Sequence, residues 1–164
     1  LQLLSAILGG GVSSRLFQQV REQQGLCYSI YSYGAGHAET GVFCIYTALN
    51  KETEAKALAT IRRVIDDFLA NGPTSEELER AREQSKANVI MGLESTQSRM
   101  SHAGRSLLFS GEILTPEQII DAYDRVMRED VVALAQEIFD WERASLSAVG
   151  QVRTAEEYRQ LVLG

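Results

Sequence analysis

The chain has 164 residues, 45% of them hydrophobic and 23% charged, which suits one globular domain with a sizeable core and argues against disorder. Its net charge of −6, with no basic cluster denser than Arg62-Arg63, argues against nucleic acid as a partner. No apolar run approaches the roughly 18 residues of a membrane span, and no basic stretch precedes an apolar one as in a secretory signal.

In chain order, Leu1 to Leu8 reads as the tail of an amphipathic helix, with Leu1, Leu4 and Leu8 on one stripe. Gly9-Gly10-Gly11 forms a glycine-rich junction to a short helix over Ser13 to Glu22, for which Ser13 or Ser14 supplies an N-cap oxygen and Leu16, Phe17 and Val20 an apolar face. Gly25 stands where a residue of positive φ would end that helix, and the aromatic and β-branched run from Cys27 reads as a strand. A reversal at Gly25 can aim Arg21, in the last helical turn, and Tyr28, at the start of the strand, at one point. There a guanidinium and a phenol would offer a fork of donors to a carbonyl or an oxyanion. The alternative is that Arg21 caps the helix's last carbonyls in solvent while Tyr28 packs in the core.

Tyr28 to Gly36 and Gly41 to Leu49 form a hairpin turning near Ala38-Glu39-Thr40, and apolar residues on both alternating sets of the second strand predict cover on much of both faces. This pairing sets Cys27 opposite roughly Asn50 and Cys44 opposite roughly Tyr33, out of register for a disulfide, and two isolated thiols suit a reducing, cytoplasmic compartment. Asn50 is read as the cap of a helix carrying Leu58, Ile61, Ile65, Phe68 and Leu69 up to Gly72-Pro73. Thr74-Ser75-Glu76-Glu77 is a capping box for a second helix running past Ile90, with Arg80, Arg82 and Lys86 on its wet side. A helix interrupted near Glu94-Ser95-Thr96 follows and carries His102, a residue that reads more simply as hydrogen-bonded than as a ligand. Thr115-Pro116-Glu117-Gln118 opens a helix through Val126, and a further helix covers Val131 to Phe139. A final strand over Ala144 to Val149 and a closing helix capped by Thr154 complete an α+β plan, with helices packed on one face of a mostly antiparallel sheet.

The string from Gly9 to Glu22, followed by Gly25-Leu26-Cys27-Tyr28-Ser29, closely resembles the C-terminal half-domain of the insulinase/pitrilysin-type zinc metallopeptidases, in the bacterial processing-protease branch related to mitochondrial processing peptidase. The resemblance implies that Arg21 and Tyr28 help bind peptide substrate near the scissile bond, and that residues 1–164 are one half-domain lacking its first strand and the start of its first helix. It also implies a separate zinc-bearing N-terminal half as partner. An unpaired sheet edge and an uncovered apolar face would favour docking to that half or formation of a homodimer.

A zinc peptidase of this type needs two histidines and a glutamate in an inverted His-x-x-Glu-His arrangement, and this chain holds only His37 and His102, without that spacing. The expectation is therefore no metal site and no activity in this chain alone, with zinc in the partner half. Gly9-Gly10-Gly11-Val12-Ser13-Ser14 fails as a phosphate loop because it lacks the lysine and does not follow a strand. Two other readings stay open: a non-catalytic homologue serving as an assembly or scaffold subunit, and a free-standing peptide-binding module.

Overall fold

A computed structural model of the chain describes residues 1–36 and 39–163. Helix α1 (Gln2–Gly9) buries Leu3, Leu4, Ile7 and Leu8 on one stripe. It lies so close to the first strand, β1 (Cys27–Gly36), that a methyl group on Gly9 would stand 2.3 Å from the backbone nitrogen of Ser32. Two hydrogen bonds fix that approach: the Ser5 hydroxyl donates to the Ser32 carbonyl at 2.9 Å, and the Ser32 hydroxyl to the Ser5 carbonyl at 3.1 Å.

Strand β2 (Gly41–Leu49) pairs antiparallel with β1, and the two make the sheet among the described residues. Glu39 and Thr40 lie in the connection between them, while Ala38 and His37 lie outside the described residues. Tyr33 pairs with Cys44 and Cys27 with Leu49, so the two thiols are free and on well-separated rungs of the ladder. Side-chain alternation gives the hairpin two different faces. Ile30, Ser32, Phe43 and Ile45 point inward, and Phe43 meets Phe139 edge to face at 5.2 Å. Tyr31, Tyr33, Val42 and Tyr46 point outward and are exposed, so β2 is covered on one face rather than two.

The core gathers on α2 (Glu54–Asn71), whose Ala57, Ile61, Val64, Ile65 and Phe68 form its buried stripe. Leu16 and Val20, before β1, and Val131 and Ala135 of α6 (Arg128–Ile138) close over it. Phe68 is fully buried, a placement that contributes about 1.5–3 kcal/mol from its removal from water. Asn50 does not cap α2: its carbonyl accepts from the Thr53 N–H, and the helix starts one turn later without a side-chain cap. Gly72, at φ 67°, turns the chain into α3 (Ser75–Gly92), which opens on the reciprocal Thr74–Glu77 capping box.

Helix α4 (Thr96–Ser110) begins at the Ser95 cap, and its His102 ring N–H donates to the Leu114 carbonyl at 2.9 Å. A second capping box at Thr115 starts α5 (Pro116–Arg125). The polar side of α3 is a seam rather than a wet face, because Arg82 donates to the carbonyls of Tyr123 and Val126 and Lys86 meets Asp124 at 2.8 Å. Only Arg80, paired with Glu76 at 3.3 Å, stands toward solvent as the sequence suggested. Ala144 to Val149 follows the short 3₁₀ turn Trp141–Arg143 as exposed, unpaired chain and not as a strand, since no described strand lies beside it to supply a ladder. Helix α7 (Ala155–Leu163) returns to α2, where Tyr158 donates to Glu54 at 2.5 Å and Arg153 pairs with the same carboxylate at 2.7 Å.

Candidate functional site

Arg21 and Tyr28 are brought together by three local departures from regular structure. The first is the helical stretch that carries Arg21. It opens without the expected serine cap, because the buried Ser14 hydroxyl donates to the Gly11 carbonyl at 2.6 Å. From Phe17 to Glu22 it winds as a π-helix, closed by the Gln23 N–H on the Gln18 carbonyl at 2.9 Å. Such wide turns are rare and gather at functional positions. Here the widening sets Arg21 over Phe17, with the guanidinium carbon 4.7 Å from the ring centroid.

Gly25 is the second departure. Its φ of 60° reverses the chain, its N–H bonds the Arg21 carbonyl at 2.9 Å, and the Leu26 N–H bonds Val20 at 3.0 Å. The third is a β-bulge at the start of β1. Cys27 pairs with Leu49 and Ser29 with Ala48, so Tyr28 is the extra residue without a partner. Regular alternation would have turned Tyr28 inward beside Ile30. The bulge re-aims it, leaving it 84% exposed with its ring 5.9 Å from the Arg21 guanidinium.

Arg21 is half-buried, packs against two rings and has no carboxylate partner among the described residues. The contacts with Phe17 and Tyr28 are worth about 0.5–1 kcal/mol each. No carbonyl of the helix end receives the Arg21 N–H groups among the described residues. An arginine and a phenol so held can donate to a carbonyl or carboxylate. Cys27, nearby, is no nucleophile candidate: burial pushes its thiol up, against the opposing effects of a Thr47 hydrogen bond and the Arg21 charge.

The glycine junction has a structural role. Gly9 admits β1, and Gly10 admits the turn over Ala6, whose Cα would lie 2.5 Å from an added methyl. Neither Gly9, Gly10 nor Gly11 has a positive φ. His102 already bonds Leu114, and among the described residues no group of three or more His, Cys, Asp or Glu is arranged to hold a metal ion. A cleft of about 210 Å³ lined by Leu1, Leu4, Tyr123, Val131 and Leu134 is mostly apolar and shares no residue with the Arg21–Tyr28 corner. Sequence reasoning passed over Phe17 as a cation platform and Tyr31, Tyr33 and Tyr46 as an outward aromatic row. The strict alternation of the tyrosines was the available signal for the second.

Residues 1–85 match the family described as the peptidase M16 inactive domain. The chain is 38% identical over 152 residues to a protein of Bacillus subtilis named uncharacterized zinc protease YmxG, covering 92% of this chain and 37% of that protein. It is 36% identical over 157 residues to the uncharacterized zinc protease SCO5738 of Streptomyces coelicolor, covering 96% of this chain and 34% of the relative. Among solved structures, the peptidase M16 inactive domain from Pseudomonas fluorescens superposes with a TM-score of 0.75 at 26% identity, over 85% of this chain and 33% of that one. The chain thus spans about a third of the length of the relatives it matches. None of the described helices is long and apolar enough to cross a membrane. The chain belongs to the peptidase M16 family, as an inactive domain of that family.

Proposed function

We propose that this domain is the substrate-binding, chamber-closing half of a zinc-dependent processing endopeptidase, acting with a separate zinc-bearing half. The observation that carries the reading is the convergence of a π-helix, a left-handed glycine and a β-bulge on a single Arg–Tyr pair whose guanidinium has no carboxylate partner among the described residues. The π-helix and the bulge depart from the regular hydrogen-bond ladders, and such features concentrate where a side chain must be aimed. In this reading Arg21 and Tyr28 donate to a carbonyl of the bound peptide or to the oxyanion that develops from it, and the peptide lies extended along the hairpin. Zinc belongs to the partner half. The two free thiols suit a reducing cytoplasm, where we place the protein.

The test is peptide cleavage by the two-half protein. A donor aimed at a developing oxyanion is worth about 2.7–4 kcal/mol, so Arg21→Ala or Tyr28→Phe should lower kcat by roughly a hundredfold or more. Tyr28→Phe keeps its ring and should barely move the melting temperature, whereas Arg21→Ala, which loses two ring contacts, should lower it by a few degrees. Arg21→Lys keeps the charge and loses the planar fork, and should recover little. Full activity in both Arg21→Ala and Tyr28→Phe would return the pair to a structural role and leave a scaffold subunit as the better reading.

A further inference from the structure

We propose that the outward face of the β1–β2 hairpin is a side-chain platform that selects peptides bearing aromatic residues at alternate positions, i and i+2, in an extended segment running along β1. The proposal rests on the substrate-binding reading of Arg21 and Tyr28 and adds the chemical class of substrate. Tyr31 and Tyr46 sit directly opposite one another across the hairpin, their rings stacked at 4.9 Å and 27°. Tyr33 lies 6.1 Å from Tyr31 along the same strand. All three rings are close to half exposed, and Val42 extends the apolar surface beside them.

Three features point to an extended aromatic peptide as the occupant. An extended chain repeats its same-face side chains every ~6.4–6.8 Å, close to the spacing of the Tyr31 and Tyr33 rings, so successive same-face rings of a ligand can meet successive rings of the platform. Neither β1 nor β2 contains a charged residue, in a chain where 23% of residues are charged, so the surface offers nothing to an ionic side chain. The platform is also continuous with the site already described. Tyr28 lies at the start of the same strand, and Arg21 beside it, an arginine with no carboxylate partner among the described residues, is complementary to the main-chain carbonyl of a peptide whose rings lie over Tyr31 and Tyr33. From Tyr28 to Tyr33 is about 16–17 Å of strand, the length of a five- or six-residue segment.

Hydrogen bonding and charge from Cys44 raise the Tyr33 phenol above its ordinary value.

The experiment measures binding of dye-labelled, end-blocked hexapeptides to this chain by fluorescence anisotropy. One peptide, Gly-Phe-Ser-Phe-Ser-Gly, carries its rings on one face; its isomer Gly-Phe-Phe-Ser-Ser-Gly has the same composition with rings on opposite faces. An aromatic contact corresponds to about two- to tenfold in affinity, and the isomer forgoes one, so the first peptide should bind more tightly by that factor. Tyr31→Ser with Tyr46→Ser should erase the difference, and Tyr31→Phe with Tyr46→Phe should keep it. Arg21→Ala should weaken both peptides alike. Equal binding of the isomers with a persistent Arg21→Ala effect overturns the platform and leaves the proposed function standing. Indifference to every substitution overturns both. A concentration-dependent dimer dissolved by Tyr46→Ser, with no peptide bound, would make the face a self-interface and likewise overturn the platform.

Discussion

Replacing Gly25 by alanine isolates the backbone term that holds the Arg21–Tyr28 corner. An added Cβ at Gly25 meets no heavy atom within 4 Å, so the substitution carries no packing clash, and its cost is conformational. At φ 60° an L-residue pays about 1–2 kcal/mol. The restricted unfolded chain returns about 0.4–1 kcal/mol of that, leaving a net loss near 1 kcal/mol. For a domain of this size the loss corresponds to a fall of about 2–4 °C in melting temperature. Gly25→Asn, whose side chain tolerates the left-handed region, should lose less. Thermal and urea unfolding followed by circular dichroism measure these differences directly. If alanine instead relaxes the turn, Arg21 and Tyr28 part, and peptide cleavage by the two-half protein should fall far more than stability does. A Gly25→Ala variant as stable as its parent, with asparagine no better than alanine, would refute the claim that the left-handed turn constrains the site.

Gly9→Ala should be more damaging, because its methyl would stand 2.3 Å from the Ser32 nitrogen and 2.7 Å from its hydroxyl; overpacking costs about 1–3 kcal/mol, and Gly11→Ala, with only the Gln84 side chain at 3.9 Å, is the control whose melting temperature should hardly move. Glu77→Gln should lose about 1.5–3 kcal/mol at neutral pH, since the carboxylate takes two bonds from Arg15, at 2.7 and 2.8 Å. Burial would push the Glu77 carboxyl up, but the Arg15 and Thr74 hydrogen bonds and the Arg15 charge outweigh it and hold it below its ordinary value. A depressed carboxyl contributes its full stability above the unfolded value of about 4.3 and loses it as pH falls through the folded value. Urea midpoints of parent and Glu77→Gln should therefore converge on acidification below about pH 4, and a gap constant down to pH 3 would refute the assignment.

The elements that could be read from the sequence are those whose signals are local. The hairpin bounds Gly41 to Leu49, the Tyr33–Cys44 register and the three capping boxes at Thr74, Thr115 and Thr154 all follow from side-chain type at fixed offsets. Failures came where a competing contact, near or distant, decided the outcome. Asn50 and Ser14 are good cap residues by type, yet their carbonyl and hydroxyl were taken by neighbouring turns. Arg82 and Lys86 lie on a polar stripe by period, but α5 covers that stripe and supplies carbonyls and Asp124 to receive them. Ala144 to Val149 has strand composition and no neighbouring strand among the described residues. At the site, the spacing of Arg21, Gly25 and Tyr28 suggested convergence, but neither the π-helix nor the bulge that accomplishes it has a signature in residue type.

Those two irregularities also explain why the corner can be stiff although it is built from a short helix and a strand end. Val20 and Leu26, on either side of the turn, are both buried, and the bond between the Leu26 N–H and the Val20 carbonyl closes the loop that contains Arg21 and Gly25. Upstream, Arg15 bonds Glu77, Asp67 and the Gly72 carbonyl and lies over Phe68, tying the start of the same segment to the α2–α3 junction. Holding a long arginine side chain in one place normally costs up to about 2 kcal/mol of rotamer entropy. For Arg21 that cost is met on folding, by its contacts with Phe17 and Tyr28, rather than when a ligand arrives. A guanidinium positioned in advance can spend its interaction energy on an incoming carbonyl, and this is the condition under which a single donor has a large effect on a reaction.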